Sequence, residues 1–314
     1  MTAPRGAARG VRVEARAKLN LGLVVGPRRG DGDHEIATIY QSVSLADTLV
    51  VRSRRAGFVL RVRHENVAAR GGRARPDATV PRGAGNLVLR AARLLARHAG
   101  LAGGARFDLV KRIPAGAGLG GGSADAAAAL VALAALHRLR LRPRDRLELA
   151  ASLGADVPFA TRGGTALGLG RGERLRPLGL ERPFRVLIAV PRWRVLTRRA
   201  FAEIDRNKYG LTGWSTKLRF AQSLGRKSLS PDAALTLGNS FESVLGRRRV
   251  DFASLRARLE GAGARGVRLT GSGSAVFGLL APGANVARML RSFVGSEALY
   301  LARSTRRAMR LRRF

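Results

Sequence analysis

Five glycines fall within seven positions, Gly116 to Gly122, between an apolar, strand-like run at 107–113 and an alanine-rich stretch that reaches His137. A chain reversal needs one or two glycines, and each further one costs conformational entropy. This density therefore points to backbone that something must approach closely. The N–H groups of such a loop are unobstructed, and the helix predicted to begin near Ser123 adds unpaired N–H groups and the positive end of its dipole. A phosphate is the guest that suits this arrangement.

The type of phosphate loop can be narrowed. No Gly-Lys-Ser/Thr follows the glycines, so the common P-loop is excluded. Gly116, Gly118 and Gly121 do satisfy G-x-G-x-x-G between a strand and a helix, the spacing of dinucleotide-binding loops. That pattern also needs an acidic residue about twenty positions on, at the tip of a second strand, to hold a ribose. The chain there reads Leu139-Arg-Leu-Arg-Pro143-Arg-Asp145, neither a clean strand nor an acidic tip. A nicotinamide cofactor is reduced to a minor alternative.

The rest of the chain alternates in an α/β order. Strands are read at 11–17, at 19–25 before the turn Gly26-Pro27, at 48–52 and at 58–63, while 34–44 reads as a strand or short helix. Residues 68–85, rich in Gly, Pro and Arg, read as a mobile loop. A helix starts at Asn86 with Leu87, Leu89, Ala91, Leu94 and Leu95 as its apolar stripe. A helix over 123–139 and a shorter one over 145–153, ended by Gly154, lead to an expected boundary near Arg162-Gly163-Gly164. Beyond it come a strand at 184–190, a helix at 197–204, and a polar, poorly periodic stretch at 206–230. Helices then resume from Pro231, and a second glycine turn, Gly271-Ser-Gly-Ser274, lies between apolar strands at 267–280.

A chain of 314 residues with 46% hydrophobic residues can bury a substantial core, and its length fits two domains. It has no cysteine, which removes disulfides, thiolate metal sites and cysteine nucleophiles. No apolar run reaches the length of a membrane span, and residues 1–10 carry arginines but no apolar stretch of the kind a secretory signal has. A cytoplasmic location without a secretory signal is therefore expected. The formal net charge of +37 invites a nucleic-acid reading. Yet the arginines are scattered over nearly every segment, aromatics are only 5%, and no RNA-recognition signature is present. The charge reads as a solvated surface that helps attract phosphorylated substrates. Arg303 to Phe314 is the stretch best placed for an accessory contact with RNA or anionic lipid, although a solvated tail is the simpler expectation.

Two further segments carry candidate chemistry. In Ala15-Arg-Ala-Lys-Leu-Asn-Leu-Gly22, Lys18 stands among apolar neighbours with Asn20 two positions on. It is either a partly buried, fixed positive charge or an ordinary edge-strand lysine. In Leu153-Gly-Ala-Asp-Val-Pro-Phe159, Asp156 follows a glycine at a helix end and precedes an apolar Val-Pro. It is either a cleft carboxylate or a helix N-cap, and as an isolated residue the cap is the commoner fate. A lysine and an aspartate beside a phosphate loop suit phosphoryl transfer, where catalysis is mostly positioning and charge stabilisation.

These segments occur in a recognisable order. The series is Ala17-Lys-Leu-Asn-Leu21, Asp31-Gly-x-His-Glu35, Asp47-Thr-Leu49, Asn86-Leu-Val-x-Arg-Ala-Ala-Arg-Leu-Leu95, Lys111-Arg-Ile-Pro114 and the glycine loop. It continues with Leu153-Gly-Ala-Asp-Val-Pro158, Gly238-Asn239 with Phe241-Glu242, and Leu269-Thr-Gly-Ser-Gly273. In this order, and nearly end to end, the chain resembles the GHMP kinases.

The resemblance implies a two-domain α/β (α+β) fold. Its N-terminal half, 1–163, would be of the ribosomal-protein-S5-domain-2 kind and its C-terminal half, 164–314, ferredoxin-like, with the active-site cleft between them. It implies ATP with Mg²⁺, an alcohol acceptor, a monomer or homodimer, and no specific nucleic-acid partner. The branch it resembles most uses a cytidine diphosphate-linked polyol in isoprenoid precursor synthesis. Lys18 and Asp156 would flank the acceptor hydroxyl. Pro114, Gly116, Gly118, Leu119, Gly120, Gly121, Gly122 and Ser123 would wrap the ATP phosphates, with Ser123 near the metal-bound oxygens. Asn86 and Lys111 would lie near the nucleotide base. Asn20, His34, Thr197 and Phe201 would face the acceptor, His34 and Phe201 on the cytosine side. The chain departs from the family at Asp33, where an aromatic residue usually stacks on the cytosine, and at Ser123-Ala124 in place of Ser-Ser. Loss of one stacking partner removes about 1–3 kcal/mol of base binding. A different alcohol acceptor stays open on that ground, as does a basic RNA-binding protein on the same scaffold.

Overall fold

The two apolar runs nearest the N-terminus form two very long antiparallel strands, β1 (Val11–Arg28) and β2 (His34–Arg54), where four shorter segments were expected. Register shifts between residues 16 and 18, 20 and 22, and 25 and 28 accommodate the interruptions in the pattern as bulges, and β1 bends without ending. The structure is a computed structural model that describes residues 10–70, 80–207, 213–224, 228–293 and 295–314. Half of the loop expected at 68–85, and parts of the polar stretch at 206–230, lie outside these residues.

Next come β3 (Phe58–His64), α1 (Leu87–Ala99) and β4 (Gly104–Lys111), with β3 and β4 parallel across the helical connection. The glycine loop leads from β4 into α2 (Gly121–Leu136), followed by α3 (Pro143–Leu153) and α4 (Val157–Arg162). α2 has no polar face along most of its length, and Ala126, Ala127, Ala128, Ala129 and Ala132 are all fully buried. A helix apolar all round belongs in a core, and α2 packs against α1, α4, β1 and β2.

The chain passes the boundary expected at 163/164 without leaving the first sheet. β5 (Thr165–Leu169) pairs with β2, and β6 (Arg174–Leu178) pairs with β5. The change of sheet falls between β6 and β7 (Arg185–Val190). After α5 (Thr197–Asn207), α6 (Trp214–Ser223), α7 (Pro231–Leu235) and α8 (Arg249–Gly261), the chain forms β8 (Ala264–Leu269) and β9 (Val276–Leu280). α9 (Val286–Ser292) and β10 (Ala298–Arg303) follow. The second sheet runs β10-β7-β9-β8 and is antiparallel throughout, the ferredoxin-like arrangement.

The terminal arginine-rich run is not a tail. After β10 the chain returns to the first sheet as β11 (Met309–Arg313), pairing antiparallel with β1 from Val11↔Arg313 to Ala15↔Met309. Among the described residues no helix is long and apolar enough to cross a membrane.

A buried lysine joins three elements beneath the glycine loop. Lys111, at the end of β4, donates to Asp47 on β2 and, at 2.7 Å, to Asp125 in α2. Asp47 also accepts the backbone N–H of Arg112 and, at 2.9 Å, that of Ile113. Entry to and exit from the loop are thus tied to one point. Burial alone would lower the Lys111 pKa, but Asp125 and Asp47 outweigh it and raise it to about 12. Burial pushes the Asp125 carboxyl well above the usual carboxylate range.

Replacing the lysine strands two buried carboxylates. Lys111→Met is expected to cost about 3–5 kcal/mol, read as a lower urea midpoint at pH 7. The folded pKa of about 12 lies above the unfolded value, roughly 10.4. The native lysine's contribution is therefore complete below the unfolded value and is lost as pH rises through about 12. The variant is expected to lack that alkaline step.

Candidate active site

The glycine loop is held in place by backbone contacts on both sides. The Leu119 carbonyl accepts the N–H of Lys18 on β1 at 3.0 Å, and the Ala117 carbonyl accepts the N–H of Ala275, beyond the second glycine turn, at 3.0 Å. Gly118 (φ +82°) packs so closely on Thr270 that a Cβ there would overlap the Thr270 carbonyl oxygen. Gly120 (φ +69°) is the N-cap of α2, and with no side chain to offer it leaves the first-turn N–H groups uncapped. The loop presents what an anion needs.

A cavity opens on either side of it. One, of about 400 Å³, is lined by Lys111, Pro114, Gly116, Glu65, Trp193 and Tyr300 among others. The other, of about 440 Å³, is lined by Lys18, Asn20, His34, Gly118, Gly120, Ser123, Asp156, Thr197 and Phe201. Residues as far apart in sequence as Lys18 and Ser272 thus meet at one place.

β1 turns its core side, Ala17, Leu19 and Leu21, toward the interior, so the alternate residues Lys18 and Asn20 share the opposite face. Lys18 is no edge-strand lysine. Its side chain is 9% exposed, its Nζ donates to Asn20 Oδ1 at 2.7 Å, and it lies 3.3 Å from Asp156 Oδ2. Asn20 donates to Thr38 Oγ1 at 2.8 Å, and its Oδ1 also accepts the Gly271 N–H at 2.9 Å. Asn20 therefore links β1, β2 and the second glycine turn.

Asp156 occupies the N-cap position of α4 but makes no capping hydrogen bond. The helix forgoes about 1 kcal/mol of stabilisation that a capping aspartate brings. The carboxylate turns instead to Lys18 and to Tyr40, whose OH donates to Oδ1 at 2.8 Å. Burial, reinforced by the charge of Asp156, raises the Tyr40 pKa well above its ordinary value. Tyr40 is thus a neutral, permanent donor.

Toward the cavity mouth, the rings of His34 and Phe201 stack with centroids 5.1 Å apart. His34 Nδ1 lies 3.1 Å from the Gly26 carbonyl and Nε2 lies 3.2 Å from Asp205 Oδ1. Thr197 Oγ1 and Ser272 Oγ are 2.8 Å apart. Asp33 pairs with Arg171 at 3.3 Å, and both line the cavity.

Two expected nucleotide contacts have other employment. Asn86 caps α1, accepting the Val88 N–H at 2.8 Å and donating to the Pro81 carbonyl, and it lines neither of the two cavities. Lys111 borders the first cavity, but its ammonium is committed to Asp47 and Asp125. Leu119 acts through its carbonyl, and Gly121 and Gly122 open α2. Sequence reasoning missed Tyr40, Thr38, Thr270 and Ser272. The second glycine turn was the available signal for the last two, while Tyr40 had none beyond an apolar strand position.

A phosphate loop between two cavities, with a lysine–carboxylate pair facing one of them, is the constellation of a small-molecule kinase, and the chain belongs to the GHMP kinase family. Its residues 86–164 match the GHMP kinases N-terminal domain. It is 41% identical over 270 residues to the 4-diphosphocytidyl-2-C-methyl-D-erythritol kinase of Pelotomaculum thermopropionicum, covering 85% of this chain and 88% of that one. It is 39% identical over 309 residues to the enzyme of the same name from Salinispora arenicola, covering 96% and 94%. A crystal structure of 4-(cytidine 5'-diphospho)-2C-methyl-D-erythritol kinase superposes with a TM-score of 0.70 at 36% identity, over 93% of this chain and 98% of that one. L. major mevalonate kinase shares the fold at 14% identity, with a TM-score of 0.69.

The contact between loop and turn can be broken directly. Gly118→Ala is expected to lower kcat/KM for ATP by about 10²-fold, the scale of a one-ångström misplacement at a reacting site. Gly30→Ala, where nothing lies within 4 Å, is expected to leave it unchanged. Steady-state kinetics, with thermal melting as the folding control, decide the point.

Proposed function

We propose that this ATP-dependent kinase transfers the γ-phosphate to the 2-hydroxyl of 4-diphosphocytidyl-2-C-methyl-D-erythritol. The observation that carries the reading is the convergence of Lys18, Asp156 and the uncapped N-terminus of α2 on one cavity, in a chain whose relatives bear that kinase's name over most of their length. The adenine side of ATP fits the cavity beyond Gly116, the phosphates lie over Gly118 to Ser123, and the acceptor fills the cavity before Asp156. The N–H groups of the loop and the dipole of α2 hold the phosphate charge.

Asp156 accepts a hydrogen bond from the acceptor hydroxyl, orients its oxygen toward the phosphorus and takes up its proton. Lys18 stabilises negative charge on the attacking oxygen and on the phosphoryl group in flight. Its burial makes that stabilisation stronger than an exposed ammonium would give. Asn20 fixes Lys18. His34 and Phe201 provide the base side of the pocket, and Thr197 borders it.

Among the described residues no three His, Asp or Glu side chains gather into a metal cage. Mg²⁺ that arrives on nucleotide phosphates needs only one or two protein ligands. The Ser123 hydroxyl, at the cavity, fits that requirement. Bound there, Mg²⁺ supplies neutralisation of phosphate charge.

Asp33 favours a second reading, a GHMP kinase with another alcohol acceptor, because a paired carboxylate stands where the family stacks an aromatic ring. ADP release from ATP and Mg²⁺, with and without the cytidylyl substrate, separates the two. The expected result is substrate-dependent turnover that falls about 10²–10⁴-fold in Asp156→Asn, the range of a lost general base. Turnover with other alcohols but none with the cytidylyl compound would establish the second reading instead.

A further inference from the structure

We infer that Tyr40 is a positioning residue for the phosphoryl transfer, acting through Asp156 by holding its carboxylate in one orientation. The inference rests on the role given to Asp156 above. Tyr40 lies in the middle of β2, paired with Asn20 on β1 and with Ala166 on β5, so its backbone is fixed from both sides. Its ring is 2% exposed and stacks on Phe159 of α4 at 4.6 Å, one turn along from Asp156 itself. The surrounding strands leave room for it with glycines. A Cβ at Gly168 would meet the ring at 2.6 Å, and one at Gly172 would collide with the phenol oxygen.

The result is a donor with no freedom to leave, 2.8 Å from Asp156 Oδ1, while Lys18 stands 3.3 Å from Oδ2. Each carboxylate oxygen therefore faces its own donor. An ionised carboxylate has about four acceptor sites, so lone pairs stay open for the acceptor hydroxyl. The phenol cannot itself become the base at neutral pH, because burial and the Asp156 charge hold its proton. Tyr40 thus keeps Asp156 aimed, and Asp156 receives the proton.

The charged and titratable groups around the pair come from three directions. Lys18 approaches from β1; Asp33 and His34 flank the cavity at the start of β2; Arg171 lines it from the turn between β5 and β6. Glu173, on the same turn, acts on Tyr40. All of them are unchanged in Tyr40→Phe, which keeps the ring and its stacking and removes one hydroxyl.

The test is kcat and KM, each determined separately, for wild type and Tyr40→Phe, measured as ADP release with the cytidylyl substrate. The expected result is a kcat lower by about 10-fold to 100-fold, matching the loss of one hydrogen bond to a charged group. KM for ATP and for the acceptor stays unchanged, because the phenol acts on the carboxylate and on neither substrate. An unchanged kcat overturns the inference, since the hydroxyl would then be purely structural. A raised acceptor KM with unchanged kcat also overturns it, by showing that the phenol binds substrate rather than Asp156. An inactive wild type would instead sink the assigned reaction. Thermal melting checks that the variant folds, and Tyr40→Leu, lacking both ring and hydroxyl, separates lost stability from the loss of kcat.

Discussion

The architecture depends on one close backbone contact. Gly118 lies against Thr270, the Leu119 carbonyl takes the Lys18 N–H, and the Ala117 carbonyl takes the Ala275 N–H. Through these contacts the loop proposed to hold phosphate also joins the first sheet to the second. The requirement explains glycines that a turn alone would not need, because a side chain at Gly118 would part the two surfaces. It also explains why the site lies between the sheets. Lys18 and Asp156 come from elements packed around α2, Thr197 and Phe201 from the helix after β7, and only the closed seam brings them to one cavity.

Charge is arranged around that seam in two layers. Beneath the loop, Lys111 binds Asp47 and Asp125 out of contact with water and fixes the loop's ends. Above it, Lys18 binds Asp156 in a cavity open to ligand, with Asp156 30% exposed. The two lysines are chemically alike and differ in what surrounds them. A buried pair whose partner is removed is strongly destabilising, which suits a structural clamp. A pair at a cavity can exchange partners with a substrate, which suits chemistry.

How far the sequence discloses this varies by residue. The strand–loop–helix unit, the helix from Asn86 and the placement of Lys18 and Asp156 at a cavity follow from local pattern together with the family resemblance. The single strands β1 and β2 do not, because bulges preserve pairing across breaks in the apolar pattern that read as strand ends. Nor does the return of 309–313 to the first sheet, a pairing across nearly the whole chain that local charge density conceals. Asn86 and Lys111 stand at positions the family places near the nucleotide, yet here their polar atoms are used by α1 and by two carboxylates. Tyr40 shows the reverse. Its alternating strand position reads as core, and only the folded register sets its hydroxyl on Asp156.

The central claim is that the loop delivers a phosphoryl group to an alcohol held at Asp156. Following radiolabel from the γ-position of ATP tests it most directly, in the presence of 4-diphosphocytidyl-2-C-methyl-D-erythritol and Mg²⁺. The account predicts that the label moves to the polyol and is found as a phosphate monoester on the 2-hydroxyl. Label that stays in ATP, or that appears only as inorganic phosphate while the polyol is recovered unchanged, would contradict it.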